Sequence, residues 1–183
     1  MYTVNVLIEG DAPLLQHAFL LPVNKQLLRT ELPEWMNRMH VNGDGLLCEP
    51  SVYLECAMRR AAKNSKIADK RGRTWKKAFL NYVIVEPELV VHLRGGAPVA
   101  APGKELNKTP TEHLSVMTVR VGCAARSQLK VSVGWQLRFD VRVIDDQVPV
   151  EVLKEVLTEA GRSEGIGDFR PKFGRFHIVE FKE

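Results

Sequence analysis

The sequence feature that most constrains the fold is a glycine-rich segment, GIGDFRPKFGRF, between the last predicted helix and the last predicted strand. Upstream, residues 148–162 carry apolar side chains at helical spacing, with Pro149 near the first turn and Gly161 placed to cap the end. Downstream, residues 176–181 have the composition of a strand. A dinucleotide-binding turn has the opposite order, strand before helix, so that function is excluded for the Gly-x-Gly at 165–167.

Hydrophobic periodicity predicts further strands and a further helix upstream. Val4, Val6 and Ile8 alternate with polar residues, and the same alternation runs without a break from Trp135 to Val143. The resulting order, βαββαβ, predicts an α+β fold of the ferredoxin-like (RRM-like) type. The predicted elements are a strand at 2–9, a helix at 49–64 with Ser51 as its N-cap, strand–turn–strand at 81–93, strands from 115 and over 135–143, and the final helix and strand.

Three irregular segments interrupt this order. Residues 14–47 contain two prolines and the turn sequence NGDG, residues 65–77 are polar and basic and predict a loop, and residues 94–112 are rich in glycine, proline and alanine. A chain of 183 residues has enough material for one substantial core with insertions. We therefore expect a single domain over 1–183, with insertions at about 14–47, 65–80 and 94–112.

Basic residues are concentrated in one stretch of the sequence. The formal net charge is only +4, but residues 59–77 hold nine lysines and arginines against one acid, Asp69. A segregated basic segment is typical of nucleic-acid binding, although a solvated helix face followed by a loop has the same composition. The candidate phosphate contacts in this segment are Arg59, Lys63, Arg71, Arg73, Lys76 and Lys77.

The glycine-rich segment is the second candidate contact with nucleic acid. Its glycines permit positive φ and a close approach of the backbone, its basic side chains can bind phosphate, and its phenylalanines can stack on bases. The alternative interpretation is a long turn whose phenylalanines cover the core. The candidate binding residues are Gly165, Gly167, Phe169, Arg170, Lys172, Gly174 and Arg175.

Cysteines and apolar runs indicate the cellular setting. The three cysteines are an odd number without CxxC spacing, which predicts neither a disulfide framework nor a structural zinc site. No apolar run reaches the roughly 18 residues that a membrane helix needs, and the N-terminus has no signal-peptide pattern. We expect a cytoplasmic protein without a membrane partner and without a metal or other cofactor.

The C-terminal segment resembles the signature of the RAMP superfamily, the ferredoxin-like RNA-binding proteins of CRISPR systems. More closely, the chain is similar to a family of small uncharacterised phage and prophage proteins. Four blocks carry that resemblance in order: APLLQH, GDGLLCEPSVYLECAMRRAAK, GRTWKKAFLNYVIVEPE and GIGDFRPKFGRF. The chain departs from the superfamily pattern after Gly174, where Arg175 and Phe176 replace a tighter Gly-x-Gly.

The resemblance implies binding of guide or other single-stranded RNA, as the backbone subunits of CRISPR effectors do when they stack along it. It also implies a homo-oligomer along the nucleic acid and CRISPR-related partner proteins. Some RAMP members are endoribonucleases with a catalytic histidine just after the first strand, which is the position of His17. His40 is the second candidate for a general base. No HExxH motif or metal-ligand pair is present among the histidines.

The leading hypothesis is therefore a non-enzymatic protein that binds single-stranded RNA, or single-stranded DNA, from a bacterium or a phage. The first alternative is a metal-independent endoribonuclease that uses His17 or His40. The second alternative is a phage protein that binds host proteins instead of nucleic acid. The first two hypotheses expect electrostatic contacts with phosphate, whereas the third does not.

Overall fold

The computed structural model describes residues 1–18, 32–65 and 74–183. The helices in these ranges are α1 (Glu34–Asn37), α2 (Ser51–Ala61), α3 (Lys76–Tyr82) and α4 (Val150–Glu159), and α4 continues into a π-helical turn, Ala160–Glu164. The strands are β1 (Tyr2–Gly10), β2 (Leu14–Leu15), β3 (Cys48–Pro50), β4 (Val83–Glu86), β5 (Leu89–Arg94), β6 (Ala97–Pro98), β7 (Leu114–Val121), β8 (Ala124–Val131), β9 (Gln136–Val143) and β10 (Phe176–Lys182).

The main sheet has the antiparallel ferredoxin-like order. Its path is β10-β1-β9-β5-β3, with β4 also paired to β9 and β6 paired to β5. Ile8 of β1 lies opposite Leu137 of β9 on one side and opposite Ile178 of β10 on the other. The first and last strands of the chain are therefore neighbours, as the βαββαβ order requires. The predicted fold class is correct.

Helices α2 and α4 cover one face of this sheet. Val4, Val6 and Ile8 are fully buried and belong to the same core as Leu54 of α2 and Leu153 of α4. Alternation in the strands and helical spacing in the helices bring these side chains together, because each pattern places its apolar residues on a single face. None of the helices in the described ranges is long and apolar enough to cross a membrane.

The opposite face of the sheet carries polar side chains that pair with one another. On β9, Arg138 contacts Asn5 of β1 and Glu180 of β10, each at 3.0 Å. Arg142 forms an ion pair with Glu86 at 2.8 Å. No aromatic residue occupies the outward positions of β1 and β9, which are Thr3, Asn5, Leu7, Glu9, Gln136, Arg138, Asp140 and Arg142.

A second, three-stranded sheet forms from two separate insertions. Strands β7 and β8 make a hairpin, and β2 pairs with β8 through Leu14 and Val131. The backbone N–H of Ser127 in β8 donates to Glu34 of α1 at 3.2 Å. The β pattern that begins at residue 115 thus belongs to this hairpin sheet and not to the ferredoxin-like sheet.

Several element ends differ from the prediction. Helix α2 begins at Ser51, but Pro50 is its N-cap residue and no side chain caps it. Gly161 lies inside the π-helical turn, and Gly165 with φ 68° ends it. Gly161 is required for packing, since a Cβ there would lie 2.2 Å from the Phe176 carbonyl oxygen. In the predicted loop at 65–77, residues 66–73 lie outside the described ranges, and Lys76 and Lys77 begin α3.

Candidate nucleic-acid interface

Glycines fold the loop from 165 to 175 tightly onto its own backbone and onto β2. Gly174 has φ 72°, and a Cβ at this position would lie 1.8 Å from the carbonyl oxygen of Ile166. Gly167 has φ 75°, and its Cβ would lie 2.6 Å from the carbonyl oxygen of Leu15. A positive φ together with so close an approach admits only glycine. The glycines therefore determine the shape of the loop.

Backbone hydrogen bonds attach the loop to the segment that joins β1 and β2. The N–H of Gly174 donates to Pro13 at 2.8 Å, and the N–H of Asp168 donates to Leu15 at 2.9 Å. In return, the Arg175 carbonyl accepts from Asp11 at 2.9 Å. The loop is thus held at both ends and in its middle, which gives its side chains defined positions.

The three phenylalanines of the glycine-rich segment GIGDFRPKFGRF have different environments. Phe176 is 2% exposed and meets Trp135 edge to face, with ring centroids 6.4 Å apart. Phe173 is 8% exposed and packs with Leu15 and Val119. Phe169 is 36% exposed and has φ 53°. Of the three, Phe169 is the side chain that can stack on a base, while the other two cover the core.

A cleft of about 300 Å³ separates the loop from α2. Arg60 of α2 and Arg170 of the loop line it, together with His17, Tyr53, Cys56, Gly167 and Asp168. Among the residues that the structure describes, neither guanidinium forms an ion pair or a hydrogen bond. Burial, and then the charge of Arg60, lower the pKa of Arg170. Two unpaired guanidinium groups at one cleft favour the binding of an anion.

The basic surface continues along α2 into a second groove of about 420 Å³. This groove is lined by Arg59, Arg60 and Lys63 of α2, by Lys76 of α3 and by Glu164. The Arg59 guanidinium is paired with Glu55 at 2.8 Å, one helical turn earlier. Consecutive grooves that share Arg60 form a track that begins at α3 and ends at the loop.

The structure gathers some of the predicted contact residues and separates others. Arg59, Lys63, Lys76 and Arg170 line the two grooves. Lys77 lines a different hollow beside Leu80. The Lys172 ammonium lies 5.8 Å from the Phe173 ring, and Arg175 is exposed. Arg71 and Arg73 lie outside the described residues.

His17 lines the cleft and belongs to a hydrogen-bond network that joins the loop to the hairpin sheet. Gln128 of β8 donates to His17 Nδ1 at 2.8 Å and to Asp168 Oδ2 at 2.7 Å. Burial lowers the pKa of His17, and the nearby Asp168 carboxylate, 3.8 Å from Nδ1, opposes that effect. The Arg38 guanidinium also lies close to the ring, 3.5 Å from Nδ1 and 3.4 Å from Nε2.

His40 lies on the far side of Tyr53 from the cleft. Its Nε2 is 3.2 Å from the Tyr53 hydroxyl, and that hydroxyl donates to the His17 carbonyl at 3.2 Å. Burial lowers the pKa of His40, with Glu49 opposing the shift. His40 does not line the cleft, so it shares no surface with Arg60 and Arg170.

Beneath these histidines is a buried polar cluster. Glu49 Oε1 lies 3.2 Å from His92 Nε2 and accepts from the Gln16 amide at 2.7 Å, and all three side chains are buried. Gln16 also donates to the carbonyl of Cys48 at 2.8 Å. The cluster joins β3 and β5 to the start of the first insertion. In the described ranges, no three His, Cys, Asp or Glu side chains are grouped to hold a metal ion.

Four residues that line the cleft were not among the predicted contacts: Arg60, Tyr53, Cys56 and Asp168. The buried Gln128, which is bonded to His17 and Asp168, was not predicted either. Arg60 belongs to the basic stretch at 59–77, and its helical position places it toward the loop. Gln128 carries no sequence signal, because its role depends on how the hairpin sheet packs. A polar residue in an otherwise alternating strand is too common to mark a site.

Two solved structures of CRISPR complexes contain chains with a fold similar to this one. No protein-family model and no curated protein matches the sequence. A chain in the cryo-EM structure of the type III-B Cmr-beta complex bound to cognate target RNA has a TM-score of 0.53 and 11% identity, covering 98% of this chain and 59% of that one. A chain of a type IV-B CRISPR complex has a TM-score of 0.54 and 11% identity, covering 97% and 90%.

These likenesses, each at 11% identity, confirm the ferredoxin-like fold. The chain spans less than two thirds of the chain from the Cmr-beta complex, 59% of its length. The similarity to the phage protein family stays a prediction.

Proposed function

We propose that this chain is a non-enzymatic protein that binds single-stranded RNA, in the manner of a backbone subunit of a CRISPR effector complex. The observation that carries the proposal is the pair of arginines, Arg60 and Arg170, at the cleft between α2 and the loop, neither of which has an ion-pair or hydrogen-bond partner in the described ranges. Their surface continues into the groove lined by Lys63 and Lys76, which adds two further cations. The neighbour bound to cognate target RNA supports the same class of ligand.

The basic track and the loop would hold the strand, and the open face of the sheet would not. On that face the cations Arg138 and Arg142 are neutralised by carboxylates, and the outward positions of β1 and β9 hold no aromatic residue for stacking. On the track, each lysine or arginine that meets a phosphate releases condensed counterions. Phe169 would add one stacking contact beside the cleft.

The proposal extends to assembly and origin. A single domain that binds RNA along one edge leaves its other faces for further copies on the same strand or for CRISPR-related proteins. We infer a cytoplasmic protein encoded by a phage or prophage from the four sequence blocks described above.

The test is fluorescence anisotropy with a labelled single-stranded RNA at several salt concentrations. We expect affinity to fall linearly on a log–log plot, with a slope of about −0.7 for each phosphate neutralised. A variant with Arg60, Lys63 and Arg170 changed to glutamine should bind at least about 100-fold more weakly, at roughly 1 kcal/mol or more per contact. The matched control changes Lys108, Arg120 and Lys182 to glutamine, which removes the same charge from exposed sites elsewhere.

Equal losses in the two triple variants would mean that only net charge matters and would contradict the assigned surface. No binding of RNA or DNA by the wild type, with a stable host protein complex in its place, would favour the protein-binding alternative.

The position of His17 in the same cleft as Arg60 and Arg170 favours one second candidate, a metal-independent endoribonuclease. A general base beside two phosphate-binding cations suits attack by a 2′-hydroxyl. The hydrogen bond from Gln128 occupies the Nδ1 lone pair and weighs against this role. Cleavage of RNA in EDTA that His17→Ala abolishes would establish the enzyme. RNA that stays intact in EDTA would contradict the endoribonuclease and support the non-enzymatic binding protein.

A further inference from the structure

We propose that Arg60 and Arg170 form a discrete subsite that clamps one phosphate group of the bound strand through directed guanidinium hydrogen bonds. This inference rests on the proposed function and goes beyond it, because the track as a whole needs only positive charge, whereas this subsite needs the arginine side chain itself. The chemistry is shared by an internal phosphodiester and by a phosphate at a chain end, and the experiment separates the two sources.

The first argument is that both guanidinium groups are fixed in position and have free hydrogen-bond donors among the described residues. Arg60 projects from α2, and Arg170 projects from a loop whose backbone is bonded to Pro13 and Leu15. Neither guanidinium has a hydrogen-bond or ion-pair partner among the described residues. The two like charges also act on each other, since Arg60 contributes to lowering the pKa of Arg170. An anion between them would relieve that repulsion.

The second argument concerns the nearby carboxylates, which form no ion pair with either guanidinium, although the charges of Glu164 and Asp168 act to raise the pKa of Arg170. Asp168 lines the same cleft, but its oxygens accept from the Gln128 amide at 2.7 Å and from the Phe169 N–H at 2.9 Å. Glu164 lines the adjoining hollow with Arg60 and Arg170 and forms no ion pair with either of them. Both carboxylates oppose anion binding, so a simple electrostatic surface would be weak at this point. Directed hydrogen bonds to phosphate are what two arginines add there.

The third argument is size. A cleft of about 300 Å³ accommodates a phosphate with its sugar and is too small for a folded duplex end. The Tyr53 side chain lies at its wall and Phe169 borders the adjoining hollow, which also contains Arg60 and Arg170. The subsite would therefore fix the register of one nucleotide, while the lysines of the track hold its neighbours.

The decisive variants keep the charge and change the geometry. Arg60→Lys and Arg170→Lys preserve net charge, but lysine cannot make the bidentate contact of a guanidinium. We expect each to weaken binding of a single-stranded RNA by roughly tenfold with an unchanged salt slope, since a directed hydrogen bond to a charged group contributes on that scale. Arg162→Lys is the matched control, because Arg162 is already paired with Glu159 at 2.9 Å and lines neither of the two grooves. Glu164→Gln should tighten binding.

Two oligonucleotide arms identify the source of the phosphate. RNAs of one sequence with a 5′-phosphate, a 3′-phosphate or neither are compared. If the wild type binds the three RNAs with equal affinity, the subsite holds an internal phosphodiester. If the wild type prefers an RNA with a terminal phosphate and Arg170→Lys abolishes that preference, the subsite holds the phosphate of a chain end. Wild-type affinity in both Arg60→Lys and Arg170→Lys would overturn the subsite and leave the proposed function intact.

A second measurement keeps the inference testable if no oligonucleotide binds and the proposed function fails. Inorganic phosphate is titrated into the wild type while the Nε–Hε signals of the arginines are followed by NMR. Saturable shifts of the Arg60 and Arg170 signals would support the subsite independently. Absent shifts of the Arg60 and Arg170 signals, or shifts no larger than that of the Arg162 signal, would overturn it.

Discussion

Gln128, in the middle of β8, donates a hydrogen bond of 2.7 Å to the carboxylate of Asp168 in the glycine-rich loop. The same amide donates to His17 at 2.8 Å. One buried side chain from the hairpin sheet therefore orders two residues of the cleft, and the insertion is part of the candidate site.

We expect Gln128→Leu to disturb the cleft and to lower the free energy of unfolding by about 1–3 kcal/mol, since it leaves the His17 and Asp168 groups without their donor. Urea denaturation measures this loss. Ser127→Ala on the same strand removes only an exposed hydroxyl contact with Thr118 and should cost less than about 0.5 kcal/mol. Equal stability of Gln128→Leu and Ser127→Ala would show that the hydrogen bonds contribute nothing.

Gly174→Ala should be among the most destabilising single changes in the loop. Its new Cβ would lie 1.8 Å from the Ile166 carbonyl oxygen, in addition to the roughly 1–2 kcal/mol cost of a positive φ. We expect a total above about 3 kcal/mol. Gly122→Ala is the control, because it also has positive φ but meets open space. Matching denaturation curves for the two variants would contradict the close packing of the loop.

Phe169 and Phe173 should separate binding from folding. Phe169→Ala should change stability by less than about 0.5 kcal/mol and weaken single-stranded RNA binding by about tenfold, in line with roughly 1–3 kcal/mol for one stacked base. Phe173→Ala should instead cost about 3 kcal/mol of stability, because Phe173 is packed with Leu15 and Val119. Fluorescence anisotropy measures the RNA affinity of both variants, and urea titrations measure their free energy of unfolding. Undiminished binding by Phe169→Ala would remove stacking from the proposed mechanism.

The histidines of the first insertion predict that stability falls in mild acid. Burial lowers the pKa of His17 and of His40 below the ordinary value of 6.5. The folded state then binds fewer protons than the unfolded state, so stability is complete above pH 6.5 and decreases as the pH falls through the window below it. We expect a lower urea midpoint at pH 5.5 than at pH 7.5, and a smaller difference in the double variant His17→Asn, His40→Asn. NMR titration midpoints above 6.5 would reverse the sign.

His92 should contribute to the stability of the fold because it is the partner of the buried Glu49 carboxylate. His92→Leu removes the group 3.2 Å from Glu49 and leaves Gln16 as the remaining side-chain partner of that carboxylate. We expect a loss of about 3 kcal/mol, as when one member of a buried pair is removed. Adding Glu49→Gln to that variant should restore part of the stability. If the double variant is no more stable than His92→Leu, the carboxylate is not the source of the cost.

Much of the fold was predictable because its signals are local. The alternation at Val4, Val6 and Ile8 and the spacing of Leu153, Val156 and Leu157 each specify one element within a few residues. Their order along the chain then restricts the topology to few choices, and the ferredoxin-like arrangement is one of them. Element ends were less predictable, as Gly161 shows, because its packing against Phe176 is a tertiary contact.

The sequence by itself determined the main strands and helices, the basic composition of 59–77, and a loop whose glycines leave it few shapes. Only the tertiary structure decided that β7 and β8 leave the main sheet and pair with β2, that Phe173 and Phe176 turn inward while Phe169 stays exposed, and that Arg60 meets Arg170. The physical reason is the range of each interaction. Periodicity acts between neighbours in the chain, whereas strand pairing, burial and the meeting of two charges depend on residues that are far apart in sequence.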